Sequence, residues 1–282
     1  MEFYKIKKYN EDFKFMDEPF NKGTRTKRVS IDKMGNKIMF KYEKENYVSS
    51  EACSEKIAYE IARILDYRCA KIELAYDNNN ALGVLNYYFN NNNEIHMDAV
   101  TFLGINDDNR KNLYNLSYIK LKLDSYDTKL FQEFLKILVF DALIGEQDRH
   151  EENWGLTESK DGYKLSPLYD NGDSLLNHFK NKKMLDSYYN KFKDFNKYIM
   201  KSKSQICDEI TKTKLKHFEL IKKIRDEYPN IVIQELNNLK KLSNNKVKQI
   251  VYKVPDELLT KEHKELIIEY LIKRRDILIN II

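Results

Sequence analysis

Three oxygen-bearing side chains stand in a pattern suited to phosphoryl transfer. Asp148 and Asn153 lie five residues apart in the polar run Gly145-Glu146-Gln147-Asp148-Arg149-His150-Glu151-Glu152-Asn153-Trp154-Gly155, and a second acid follows in Tyr169-Asp170-Asn171-Gly172. Transfer from ATP requires three charged phosphates to be neutralised, a magnesium ion to be held by a few hard oxygens, and a hydroxyl to be aligned on the terminal phosphorus. The Asp170 carboxylate and the Asn153 amide oxygen suit Mg2+ and leave room for phosphate and water. Asp148 then addresses the acceptor. With an ordinary carboxyl pKa of about 3.9 it orients the hydroxyl and takes up a proton late. His150 reads as an orienting or packed histidine that supports Asp148.

Taken singly, Asp148 is a cap or turn former and Asp170-Asn171-Gly172 is a turn signal. The string Asp148-Arg149-His150-x-x-Asn153, with the later acid, changes that reading, because the five-residue spacing matches the protein-kinase catalytic loop.

The elements that must position these residues fall into two groups. Residues 28–42 read as two strands about the turn Met34-Gly35-Asn36-Lys37, with Lys41 near the end of the second. Asn21 to Lys27 ahead of them is a polar loop with one glycine. Ser49 to Leu65 is an amphipathic helix, with Ser50 as cap and Ile57, Ile61, Ile64 and Leu65 on one face. Glu51 and Glu55 share a second stripe on it, which leaves either acid available to a lysine partner. Strands over Cys69–Ala75 and Ala81–Tyr88 complete a small antiparallel sheet with one helix. A strong helical pattern begins near Thr128, loops and short strands fill the glycine-bearing segment 145–172, and helical periodicity returns from Lys180 to the end. The fold class is α+β and bilobal, with a nucleotide-binding lobe over 1–125 and a mainly helical catalytic lobe over 126–282.

Composition narrows the function classes. The 282 residues carry 49 Lys and Arg against 44 Asp and Glu, a net charge of +5, and 42% hydrophobic residues with only 8 Gly and 4 Pro. Such a chain buries a core and is neither collagen-like nor disordered. Its greasiest run, Phe134 to Ile144, is interrupted by Lys136 and Asp141, so no membrane span is expected. The charged start, Met1-Glu2-Phe3-Tyr4-Lys5, lacks a secretory core, and a cytoplasmic location is expected. Cys53, Cys69 and Cys207 fit neither a disulfide framework nor a zinc site and read as buried thiols. Trp154, the sole tryptophan, reads as core. Lysines and aromatic residues interleave from Lys180 to Lys203. At this modest net charge the segment reads as an amphipathic helix that buries its rings, and direct nucleic-acid binding is not expected.

These residues resemble the HipA-like serine/threonine kinases, whose cores carry an Asp-x-His-x-x-Asn loop followed by a metal-binding Asp. The resemblance extends to Gly23-Thr24-Arg25-Thr26-Lys27 and Phe40-Lys41-Tyr42, similar to that family's phosphate loop and nucleotide-binding lysine. It continues through Ser54 to Ala62, similar to its acid-bearing helix, and to the closing segment from Val254-Pro255 to Ile282. It implies that Gly23, Thr24, Lys27 and Lys41 contact nucleotide, that Glu55 rather than Glu51 pairs with Lys41, that Asp148 is catalytic, and that Asn153 and Asp170 hold metal. ATP and Mg2+ are the implied cofactors, a protein serine or threonine the implied acceptor, and an antitoxin an implied partner. The chain departs from the family in its single phosphate-loop glycine. It also has no room for the extra N-terminal subdomain of full-length HipA toxins, and so looks like a minimal relative. Two other functions share these features: a phosphoinositide or small-molecule kinase, and a non-catalytic nucleotide-binding toxin-like protein.

Overall fold

The structure, a computed structural model, describes residues 2–16, 26–43, 50–89, 94–177, 183, 186, 187 and 192–282. Gly23 and Thr24 of the expected phosphate loop lie outside these residues, as does most of the stretch 180–191.

One six-stranded sheet organises the first part of the chain. Its strands are β1 (Lys7–Lys8), β2 (Phe13–Phe15), β3 (Lys27–Asp32), β4 (Lys37–Tyr42), β5 (Ile72–Tyr76) and β6 (Leu82–Tyr87), in the order β1-β5-β6-β4-β3-β2. The neighbours are antiparallel except for β1, which runs parallel to β5. The β3–β4 turn forms where the alternation breaks. Asp32 accepts from the N–H of Met34 and Asn36 at 2.9 Å each, and Gly35 supplies a φ of 84°. Phe13, Ile38, Phe40, Ala75 and Leu85 bury one face. Ile72, Leu74 and Val84 bury the other against Ile57, Ala58 and Ile61 of α1 (Glu51–Ile64). Ser50 caps that helix by accepting from the Cys53 N–H at 3.1 Å.

The rest of the chain is mainly helical. It contains α2 (Ala99–Leu103), α3 (Arg110–Leu113), α4 (Leu116–Asp124), α5 (Thr128–Ile144), α6 (Phe192–Lys201), α7 (His217–Glu227), α8 (Pro229–Asn238), α9 (Asn244–Tyr252) and α10 (Lys261–Ile279). Between them lie the antiparallel sheet β7 (Ile95–Asp98), β8 (Gly155–Ser159) and β9 (Gly162–Leu165), and the hairpin β10 (Lys203–Cys207) and β11 (Lys214–Lys216). Helix α5 is apolar nearly all round, so it is enclosed, and its buried Phe131, Phe134, Leu138 and Phe140 form the centre of the second lobe. Phe195 and Ile199 of α6 are buried, whereas Lys197 is not. No described helix is long and apolar enough to cross a membrane.

Three features differ from the sequence expectation. β7, a strand absent from that expectation, pairs with β8 rather than with the first sheet. Helices α2 to α4 precede Thr128, and Asn115 caps α4 by accepting from the Tyr118 N–H at 3.0 Å. Residues 203–216 form a hairpin where helical periodicity was expected. Its turn is closed by Asp208, whose carboxylate accepts from the N–H of Ile210 at 3.0 Å and of Thr211 at 2.8 Å.

Candidate active site

Lys41 is the penultimate residue of β4, and its side chain leaves the sheet toward α1. Its Nζ lies 2.7 Å from Glu55 Oε1 and 3.0 Å from Glu51 Oε1, and it also contacts Asp170 from the second lobe. Glu51 and Glu55 are one helical turn apart, so one ammonium reaches both. The acids that the sequence leaves as alternatives are therefore used together, with Glu55 the nearer. Lys27 is the direct partner of Lys41 in the β3–β4 register, which puts the two lysines on one face, and its charge acts on Asp170.

The alignment of β4 with α1 depends on Glu43, the residue after the strand. Its carboxylate accepts from the Ser50 hydroxyl at 2.6 Å and from the N–H groups of Glu51 and Ala52 at 2.9 Å each. A carboxylate there satisfies otherwise free helix donors and meets the positive end of the helix dipole. Sequence reasoning missed Glu43. An acid lying between a strand end and a serine cap is the signal that could have found it.

Helix α5 ends at Gly145, which adopts a φ of 72°, and a Cβ there would stand 1.9 Å from the Tyr270 hydroxyl oxygen. The loop that follows carries Asp148 with its side chain half-exposed. The Asp148 N–H donates to Glu146 Oε1 at 2.7 Å, and its carbonyl accepts from Asn153 Nδ2 at 2.7 Å. His150 Nδ1 accepts from the Glu152 N–H at 3.2 Å, while its Nε2 lies 3.7 Å from Asp148 Oδ2.

Arg149, between them, is buried and uses all its donors. Nε and Nη2 meet Asp141 of α5, the latter at 2.9 Å. Nη1 donates to the carbonyls of Asn153 at 3.0 Å and Tyr169 at 2.7 Å, and Nη2 also reaches Asn171 Oδ1 at 2.5 Å. One guanidinium thus joins the Asp148 loop to the residues on both sides of Asp170. The Arg149 carbonyl accepts from the Tyr114 hydroxyl at 2.7 Å, which in turn accepts from Trp154 Nε1 at 2.8 Å. Trp154 is core, and a structural support of this loop. The Asp141 and Asn171 contributions were not anticipated from sequence. A lone acid inside the apolar α5 pattern was the available signal.

Asp170 itself adopts a φ of 52°, uncommon for a residue with a side chain, and the contacts on either side hold it there. Gly172 completes the segment: a Cβ at this position would lie 2.5 Å from Glu51 Cγ and 2.9 Å from Glu51 Oε1. Glycine is what lets the second acid of α1 reach Lys41.

The electrostatics follow from burial and from the one ammonium. Burial favours neutral Asp170, but Lys41 outweighs it and holds the carboxyl at about 2. Burial pushes Glu55 up to about 7 against the pull of Lys41, with Asp170 adding to the rise. Asp148 is raised by burial, and His150 opposes the shift. The donor set fits a hard divalent cation. Asp170 offers an anionic oxygen, and Asn153 spends its Nδ2 on the Asp148 carbonyl, so that its Oδ1 is the atom that could hold a cation. Glu51, Glu55 and Asp170 also bring carboxylate oxygens within 4.8 Å of one another, bridged here by Lys41.

Residues 20–239 match the HipA-like C-terminal domain family, and the chain belongs to that family of kinase domains. No curated protein sequence matches it. Its structure is similar to that of the Helicobacter pylori proinflammatory kinase CtkA, with a TM-score of 0.82 and 18% identity over 98% of both chains. It is also similar to a chain of the Shewanella oneidensis MR-1 toxin–antitoxin complex of HipA, HipB and operator DNA. There the TM-score is 0.57 and the identity 15%, over 93% of this chain and 64% of that one. The fold is protein-kinase-like, with a sheet-bearing N-terminal lobe and a helical C-terminal lobe, in agreement with the sequence-based fold class.

Proposed function

We propose that the protein is an ATP- and Mg2+-dependent kinase that phosphorylates a serine or threonine of another protein. The observation that carries this reading is the meeting of Lys41 with Glu55 from α1 and Asp170 from the second lobe, beside a loop that Arg149 ties to both neighbours of Asp170. Bound ATP supplies the phosphoryl group, and bound Mg2+ neutralises its charge. Lys41, oriented by Glu55 and Glu51, donates to phosphate oxygens, and Lys27 adds positive charge on the same face. Asp170 and Asn153 hold the metal. Asp148, backed by its main-chain bonds to Glu146 and Asn153, accepts a hydrogen bond from the acceptor hydroxyl and takes up its proton late.

The protein-hydroxyl acceptor is supported by the family, and control by an antitoxin-type partner by the structural likeness to HipA in its complex with HipB. Incubation of the purified protein with a lysate, ATP and Mg2+, followed by phosphoamino-acid analysis, is expected to yield phosphoserine or phosphothreonine. Label appearing only in lipid or small molecules would reject the protein acceptor. Recovery of an inhibitory partner by pull-down from the native host would support that control, and undiminished activity beside any co-purifying protein would count against it.

A further inference from the structure

The hairpin side of Asp148 carries a concentration of cations, most of them without an ion-pair partner among the described residues. Hairpin β10–β11 is fastened to the catalytic loop, since Gln205 Nε2 donates to the Gln147 carbonyl. Arg110 at the start of α3 spans the same join: its Nη2 donates to Gln205 Oε1 at 3.3 Å and its Nε lies 3.2 Å from Glu151. Lys214 is the register partner of Cys207 at the turn end of the hairpin, and Lys203 pairs with Lys216 at its open end. The charges acting on the Cys207 thiol are those of Lys214, Arg110, Lys111 and Lys212, and those acting on Lys214 include Arg110, Asp148 and Lys203. Five cations therefore gather about this hairpin, and Lys214 among them lies within electrostatic reach of Asp148.

Four of them are available to an incoming molecule. Lys111, Lys203, Lys212 and Lys214 are exposed, and among the described residues none forms an ion pair. The acids of the hairpin are spent internally. Asp208 closes its own turn, and Glu209 accepts from the Ser117 hydroxyl at 2.7 Å and lies 4.0 Å from Lys223. Like charges gathered without partners cost stability, and an anionic ligand relieves that cost.

The character of the face favours a polypeptide over a nucleic acid. Residues 203–216 include no aromatic side chain on which a base could stack, whereas Ile210 at the turn is almost fully exposed and offers an apolar contact. We propose that α3 and the β10–β11 hairpin form the acceptor-docking surface and select a protein segment with Asp or Glu close to the accepting hydroxyl. Charges act over a screening length of about 8 Å, which limits the selected acids to about two extended residues on either side. This inference rests on the kinase reading for its notion of an acceptor, although the surface can be tested by binding alone.

The test uses three fluorescein-labelled peptides with one central serine, flanked by Glu, by Gln or by Lys, titrated with the full chain and with a Lys212→Glu/Lys214→Glu variant and read by anisotropy. The Glu peptide is expected to bind the wild-type chain about tenfold tighter than the Gln peptide, to lose that advantage at high salt, and to lose it in the variant, where the Lys peptide gains. Equal binding of the Glu and Gln peptides, or a preference that survives in the variant, overturns the proposal. So does an oligouridylate that binds the same lysines more tightly than the Glu peptide. The same peptides offered with ATP and Mg2+ separate the two claims. Preferential binding without any phosphorylation contradicts the kinase reading and leaves the surface standing, whereas phosphorylation without preference for acid does the reverse.

Discussion

Asp141 and Arg149 meet at 2.9 Å between a helix and a loop, each only 3% exposed in its side chain. Removing one member of such a buried pair leaves the other charge without compensation. Asp141→Ala is expected to lower stability by roughly 3–5 kcal/mol, read by urea unfolding, because it also frees the guanidinium that joins the Asp148 loop to the Asp170 segment. A loss below about 1 kcal/mol, the range of an exposed pair, would show that Arg149 does not depend on Asp141.

Gly172 presents a steric prediction. A Cβ at this position would lie 2.5 Å from Glu51 Cγ, so Gly172→Ala must displace Glu51 or the Asp170 segment. Phosphate transfer is expected to fall by about a hundredfold, the usual penalty for a displacement on the order of 1 Å at a reacting site. Transfer should recover in part when Glu51→Ala is combined with it. A double variant no better than the single one would place the clash elsewhere.

Glu43 links β4 to α1 by three hydrogen bonds. Glu43→Ala is expected to cost about 1–2 kcal/mol of stability, as for loss of a strong helix cap. It should also weaken nucleotide binding, because the helix it fixes carries both acids that orient Lys41. Isothermal titration with a non-hydrolysable ATP analogue reads the second effect, and unchanged affinity would dissociate Glu43 from the lysine.

The pH dependence has a definite sign. Glu55 is pushed up to about 7 in the fold, above its unfolded value, so the native state holds more protons between roughly pH 4.5 and 7. Its contribution to stability is complete below that window and declines as pH rises through it. Asp170, held at about 2, has the opposite dependence, with its contribution present above its unfolded value and lost as the pH falls toward 2. The midpoint temperature of the wild-type chain should therefore drop more between pH 5 and pH 8 than that of Glu55→Gln. Parallel curves for the two would show that Glu55 does not titrate in this window.

Much of this site was legible because its parts are local. A β3–β4 turn closed by Asp32 and Gly35, a serine-capped α1 and a glycine-terminated α5 each leave a signature within a few residues. The string from Asp148 to Asn153 likewise sits in one loop. What was not legible depends on pairs far apart in the chain. Helical phase puts Glu51 and Glu55 on one stripe, yet only Gly172, more than a hundred residues on, decides that both can reach Lys41. The Arg149 contacts with Asp141 and Asn171 are of the same kind. The hairpin at 203–216 escaped notice because β10 is buried on both faces after its first residue and β11 is only three residues long, so period-two alternation is absent.

The most direct test of the account is transfer of radiolabelled γ-phosphate from ATP by the purified chain and by its Asp148→Ala variant, with nucleotide binding followed in parallel. The account predicts Mg2+-dependent labelling by the wild-type chain, and nucleotide binding without labelling by the variant. Equal labelling by both would contradict it, as would nucleotide binding by the wild-type chain with no transfer to any acceptor.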